Sequence, residues 1–339
     1  MEEKEKTENG TPIDCTYSLP DLAKINQFIL ASPNDGKLFR IRSQILLDSG
    51  QYKEALSDAK RALSLNPDDL YNYIVVGKAH RALGHIDSAL SACNTAEKSG
   101  FNDPDNYLLQ GDLYLIIRQY AKSLEYLNKA LKLAPFEPKI YYLKGVLFWE
   151  KNDTVKALSS WQTAIEQDPS YGDGYARLSS YYMSKKDYST AEQYLKSGLR
   201  LKPNDAFLNY DNGIYLQMKG YPDSAIIFYE KAILLDKKLY LAKENLGYLK
   251  FNKRLYQDAI PLFEDAVIYD PRNSNLAYHL GLSYQYSGNL KKAELEISRV
   301  INLDKEYVKD AAKALELIKK QITKKLKDST DRARLEKEG

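Results

Sequence analysis

The chain has 339 residues, 28% charged and 44% hydrophobic, with a formal net charge of +3. That balance is ordinary for a soluble folded protein and gives no field strong enough to point to nucleic acid or an anionic membrane. Two cysteines, Cys15 and Cys93, exclude a disulfide framework and a zinc cluster, and no run approaches the roughly 18 apolar residues of a membrane span.

Residues 1–18 begin "MEEKEKTENG", with no apolar core of a secretion signal, and are expected to form a disordered tail. The next segment, 19–35, reads as half a hairpin: Leu22, Ile25, Phe28 and Ile29 share one helical face and Pro33 ends it. From Gly36 the chain repeats every 34 residues without an insertion or deletion. The units are 36–69, 70–103, 104–137, 138–171, 172–205, 206–239, 240–273 and 274–307. The twentieth place is small in all eight, from Ala55 and Ala89 to Ser123 and Ala293. The twenty-seventh is small in seven, with Val300 the exception. The eighth place is always Gly or Ser.

This spacing predicts a helical hairpin. Apolar or small residues at places 4, 7, 8 and 11 form one face of a first helix. A polar turn such as "DSGQY" or "LGHID" follows, and the small pair of a second helix then brackets an aromatic such as Trp161, Tyr229 or Phe263. Prolines at 67, 135, 169, 203 and 271 close five units; Phe101, Lys237 and Lys305 stand where three others would be. Beyond them, residues 308–327 place Leu315, Ile318, Ile322 and Leu326 on one stripe with lysines opposite, which reads as a capping helix. Residues 328–339 are expected to be a disordered tail.

These residues resemble the tetratricopeptide repeat (TPR) family over about four-fifths of the chain. The resemblance implies an all-α fold, a superhelix of antiparallel helix pairs whose first helices line the concave side. Places 2, 5, 9 and 12 then face the groove. They hold Arg40, Tyr71, Ile74, Lys78 and Arg81 early in the chain, and Leu108, Asp112, Tyr142 and Trp149 further on. Tyr210, Tyr248, Phe251 and Tyr278 follow. Place 6 adds an expected inner edge that is apolar at Ile41, Val75, Leu109 and Leu143, then polar at Arg177, Asp211, Asn245 and His279. Two readings stand for these rings: neighbouring units bury them, or they form an apolar groove rimmed by charge. The second is favoured, because contiguous apolar surface usually marks a binding site.

Chaperone-binding members of the family clamp a C-terminal carboxylate with Lys and Asn on this face. Here Arg40 and Gln44 stand in the first such places, but Val75, Asp105 and Leu109 replace the others, so that clamp is absent. No HExxH, GxSxG, GxGxxG or P-loop motif occurs, and His80 and Cys93 fall at packing places. The expectation is a non-catalytic monomer without cofactor or metal. It would bind a peptide or helix of a partner protein, with no nucleic acid and no membrane insertion. The location is cytoplasmic by default. Two alternatives remain open: a periplasmic lipid-anchored assembly factor, suggested by the "EEKEKTEN" tether and a Tyr-, Lys- and Asn-rich composition, and a targeting subunit of an enzyme complex.

Overall fold

The computed structural model describes residues 22–303 and 308–338; the expected tail at 1–18 lies outside them. The described residues form eighteen α-helices and no strand. The chain divides into two compact units between Gln167 and Asp168. In the first unit, α1 (Leu22–Ala31) precedes four helix pairs. These are α2 (Gly36–Asp48) with α3 (Tyr52–Leu65), α4 (Tyr71–Ala82) with α5 (Ile86–Lys98), α6 (Pro104–Ile116) with α7 (Tyr120–Leu133), and α8 (Pro138–Glu150) with α9 (Thr154–Gln167).

The second unit contains α10 (Gly172–Ser184) with α11 (Tyr188–Leu201), and α12 (Ala206–Met218) with α13 (Pro222–Leu235). The pairs α14 (Tyr240–Asn252) with α15 (Tyr256–Tyr269) and α16 (Ser274–Tyr286) with α17 (Leu290–Leu303) follow, and α18 (Val308–Glu338) ends the unit.

Five of the eight first helices, α2, α6, α8, α12 and α16, start at a side chain that takes up a free N–H, while α4, α10 and α14 start at Leu70, Tyr171 and Leu239 without such a cap. Asp35, Asp103, Asp205 and Asn273 cap α2, α6, α12 and α16 by accepting from a backbone N–H one or two residues inside the helix. Each first helix stops in a left-handed turn at place 15. Gly50, Gly84, Gly220 and Gly288 supply it in four hairpins, and Arg118, Asn152, Lys186 and Arg254 adopt it with φ near 60° in the others. The amide after the turn reaches back five residues, as from Gln51 to Leu46 O and from Gln119 to Tyr114 O, and takes up a carbonyl the helix leaves free.

Within a pair, packing is set by places 8 and 24. Gly111 sits against Leu127, Gly213 against Tyr229, Gly247 against Phe263 and Gly281 against Ile297, at distances where a Cβ would collide. Where place 8 is Ser43, its hydroxyl donates to the carbonyl of Ala55 at place 20, and Ser123 at place 20 donates in return to the carbonyl of Gly111 at place 8. The alanines at places 20 and 27 are fully buried, and so is Val300. First helices lie side by side along each unit, α2 to α8 in the first. Where Phe101 replaces the closing proline, Gly100 at φ 88° turns the chain instead.

The ends follow the expectation in part. In α1, Ile25 and Ile29 pack against Leu38, while Phe28 lies exposed at the edge. In α18, Ala311, Ala314 and Ile318 are buried against Ala293, Ile297 and Val300. Leu315 and Ile322 cover the margin, but Leu326 is exposed beyond it. The helix runs to Glu338, so residues 328–338, expected to be unfolded, are helical. Lys, Arg, Glu, Leu and Ala are good helix formers, and extending a helix already nucleated by packed turns costs little.

Candidate functional site

In the first unit, α2, α4, α6 and the start of α8 enclose an open cleft of about 560 Å³. Its floor is Leu47, Leu108 and Leu109, and its walls carry Gln44, Asp48, Lys78, Arg81, Asp105, Asp112 and Lys139. Cations of one hairpin meet carboxylates further along the chain. Arg40 pairs with Asp69 at 2.6 Å, Lys78 with Asp105 at 2.9 Å, and Arg81 with Asp112.

Tyr71 is held within this ladder. Its hydroxyl donates to Asp105 at 3.0 Å, and its ring lies 5.2 Å below the Arg40 guanidinium and 5.9 Å from Lys78. Burial, reinforced by the Asp105 charge, pushes the Tyr71 hydroxyl up to about 12. Asp105 itself is partly desolvated, but Lys78 and the Tyr71 hydroxyl outweigh that and hold its carboxyl below the ordinary range. The wall cations Lys78 and Arg81 are therefore engaged, as is Arg40 beside them, while Lys139 at the start of α8 lies outside this ladder of pairs. The cleft offers fixed, alternating charge over an apolar floor.

The first-helix face of the second unit is built differently. Asp211 is buried and accepts from Ser180 Oγ at 2.5 Å; burial pushes its carboxyl up to about 6. Asn245 donates to the Tyr210 hydroxyl at 3.4 Å. His279 is caged by Tyr248, Phe251 and Tyr278, with ring centroids 4.9, 5.0 and 5.8 Å away. Its Nδ1 donates to the Asn275 carbonyl, and burial lowers its pKa, so it is a neutral packing residue at physiological pH.

The structure therefore corrects much of the expected apolar groove. Ile74 is fully buried among Cys93, Leu109 and Leu113, and Leu108 and Leu115 are buried as well. Tyr142, Tyr210, Tyr248, Phe251 and Tyr278 pack against core clusters as half-buried rings. Place 6 is likewise a packing place in the first unit, where Val75, Leu109 and Leu143 are buried. In the second it holds buried Asp211 and exposed Arg177. The cause is the close approach of adjacent first helices, which buries the fifth and sixth places in the seam between them. Trp149 and Phe207 remain as exposed large rings on these helices. What the cleft does bring together is Lys78, Arg81, Leu108 and Asp112; Tyr71 reaches its wall through Asp105, and Arg40 lies over the Tyr71 ring. Asp105, Asp48, Ser180 and Lys139 were missed, and the legible signal was opposite charge 27 and 31 residues apart at Lys78/Asp105 and Arg81/Asp112.

Among the described residues no group of three or more His, Cys, Asp or Glu is placed to hold a metal ion, and no helix is long and apolar enough to cross a membrane. Tetratricopeptide-repeat family profiles match residues 46–113, 108–171, 142–206 and 245–306, more than half of the chain. The chain belongs to the tetratricopeptide-repeat family. Proteins of this family are generally protein-interaction scaffolds.

The TPR repeat-containing protein YpiA of Bacillus subtilis is 25% identical over 161 residues, 45% of this chain and 36% of that one. The small glutamine-rich tetratricopeptide repeat-containing protein 2 of Mycosarcoma maydis is 31% identical over 101 residues, 30% of this chain and 29% of that one. The chain thus spans about a third of the length of these TPR relatives. Among solved structures, the APC/C hetero-tetramer Cut9–Hcn1 superposes with a TM-score of 0.62 at 17% identity, covering 88% of this chain and 59% of that one. At that identity the likeness is one of fold.

Proposed function

We propose that this TPR protein is a non-catalytic scaffold that holds a segment of a partner protein along the first-helix face of its first unit. The cleft between α2, α4, α6 and α8 carries the reading. Side chains from successive hairpins fix its walls, and at about 560 Å³ it exceeds the hollow of about 340 Å³ beside Leu22, Arg42 and Asp58. Because Arg40, Lys78 and Arg81 are each paired, a segment gains most by offering both charge signs and its own backbone polar groups. A terminal carboxylate alone could meet only Lys139 without displacing the pairs of Lys78 and Arg81. Trp149, exposed on α8, extends the same face with a rigid aromatic contact.

A photo-crosslinking residue at Gln44 and a control at Ser91, on the outward side of α5, test the assignment. The partner should be captured from Gln44 and not from Ser91, and Arg81→Glu should abolish that capture. Equal labelling from both positions would place binding elsewhere.

A further inference from the structure

The net charge of +3 conceals an uneven distribution. Residues 308–328 hold seven lysines against Asp310, Glu316 and Asp328, a surplus larger than that of the whole chain. Lys313, Lys319, Lys320, Lys324, Lys325 and Lys327 of α18 are all exposed. Among the described residues, only Lys320 of these six has a carboxylate partner, Glu316 at 2.7 Å.

Capping does not account for the surplus. An end helix needs a polar outer face, but that face need not carry one sign of charge. At the other end of the array, the exposed polar side chains of α1 are Lys24, Asn26 and Gln27. Like charges three and four residues apart, as at Lys320, Lys324 and Lys327, also weaken a helix. The lysine row is therefore a feature that neither packing nor helix formation requires.

Its arrangement identifies what fits. Lys313, Lys320, Lys324 and Lys327 fall within an arc of about 60° on the helix. They lie opposite Ala311, Ala314 and Ile318, which seat α18 in the core. The result is one straight row about 21 Å long on the outward side of the last helix. Such a row on a rigid, convex rod meets a flat sheet of negative charge along its whole length. Exposed Leu317 lies beside the row, with Lys313, Lys320 and Lys324 at i−4, i+3 and i+7. A phosphodiester backbone offers nothing to that leucine, whereas a lipid interface takes up an apolar side chain between its headgroups.

We propose that the outward face of α18 docks on an anionic phospholipid surface. The lysines meet headgroup phosphates, and Leu317 enters the boundary beneath them. Because Ala311, Ala314 and Ile318 stay in the core, the helix rests on the surface and does not embed its apolar stripe. The attachment is peripheral and sensitive to salt.

Flotation of the full chain with phosphatidylcholine vesicles, and with vesicles that also contain phosphatidylglycerol, tests the proposal. The chain should float with the anionic vesicles alone, and high salt should release it. Lys313→Gln with Lys324→Gln and Lys327→Gln should weaken that binding about a hundredfold, near fivefold for each lysine. Lys98→Gln with Lys237→Gln and Lys238→Gln changes net charge equally at exposed positions elsewhere and should bind as wild type. All these positions are exposed, so circular dichroism should show both variants folded. Leu317→Ser should weaken vesicle binding several-fold and leave binding of a single-stranded oligonucleotide unchanged. Absence of flotation with anionic vesicles would overturn the proposal, as would equal losses in the two triple variants. Tighter binding to the oligonucleotide than to vesicles of equal phosphate content would overturn it as well, and would mark the row as a nucleic-acid contact.

Discussion

The backbone of Gly145 lies against the indole of Trp161, so close that a methyl group on Gly145 would overlap the ring. The largest side chains at place 24, Trp161, Tyr229 and Phe263, all face a glycine at place 8, whereas Ser43 shares its hairpin with the small Ala59 at place 24. Gly145→Ala should therefore cost about 1–3 kcal/mol through overpacking. Trp161→Ala should cost about 3–5 kcal/mol through the cavity it leaves. Trp149 packs at a tilt against Trp161, 5.8 Å between centroids, but is exposed, so Trp149→Ala should cost only about 1 kcal/mol. Repeat arrays unfold in parts, so hydrogen exchange across residues 138–167 is the proper readout. Unchanged protection there in Gly145→Ala would refute the packing account.

The turn residues give a prediction of opposite sign. Lys186 has φ 59° and Arg254 φ 62°, a conformation that disfavours residues with a Cβ, whereas Gly84 occupies the equivalent place freely. Lys186→Gly should raise stability by about 0.5–1 kcal/mol, the relief of strain exceeding the extra entropy of the unfolded chain. Gly84→Ala should lower it by about 1 kcal/mol. Denaturant midpoints of the two variants decide the matter, and a destabilised Lys186→Gly would count against it.

Hairpin period, helix pairing and the small-residue seams were legible because they are local. A helix face is fixed by spacing, and places 8, 20 and 27 leave no room for anything large. The groove was not legible to the same degree. Whether Ile74 or Leu108 faces solvent depends on how closely neighbouring first helices approach, and no spacing within one unit reports that. Charge would have been the better guide across hairpins, since Arg81 and Asp112 meet because each needs a partner. Place 15 was read as a polar turn, and its left-handed conformation was hidden wherever Arg118, Asn152, Lys186 or Arg254 stands in place of glycine.

Asp211 predicts a pH dependence. Its folded-state carboxyl titrates near 6, above the ordinary aspartate value, because burial disfavours its charge. Between about pH 4 and pH 6 the folded state then holds a proton that the unfolded chain has lost. Its contribution is fully present below pH 4 and is lost as pH rises through 6. Asp211→Asn, which keeps an acceptor for Ser180, should stabilise the second unit on the order of 2–3 kcal/mol at pH 7.5 and leave it nearly unchanged at pH 4. Equal effects at both pH values would show that the carboxyl is not protonated in the fold.

The Arg81–Asp112 pair joins stability to the proposed binding cleft. Asp112 is buried, and Arg81 reaches it from the preceding hairpin. Removing the guanidinium strands a desolvated carboxylate, so Arg81→Ala should cost about 1–3 kcal/mol. Arg81→Ala with Asp112→Asn should recover most of that loss, because no unpaired charge remains. The two readouts then separate. If the pair only holds hairpins together, the double variant regains both stability and partner capture from Gln44. If the cleft recognises its partner through these charges, stability returns while capture does not. A double variant as unstable as Arg81→Ala alone would show that the two side chains do not act as a pair.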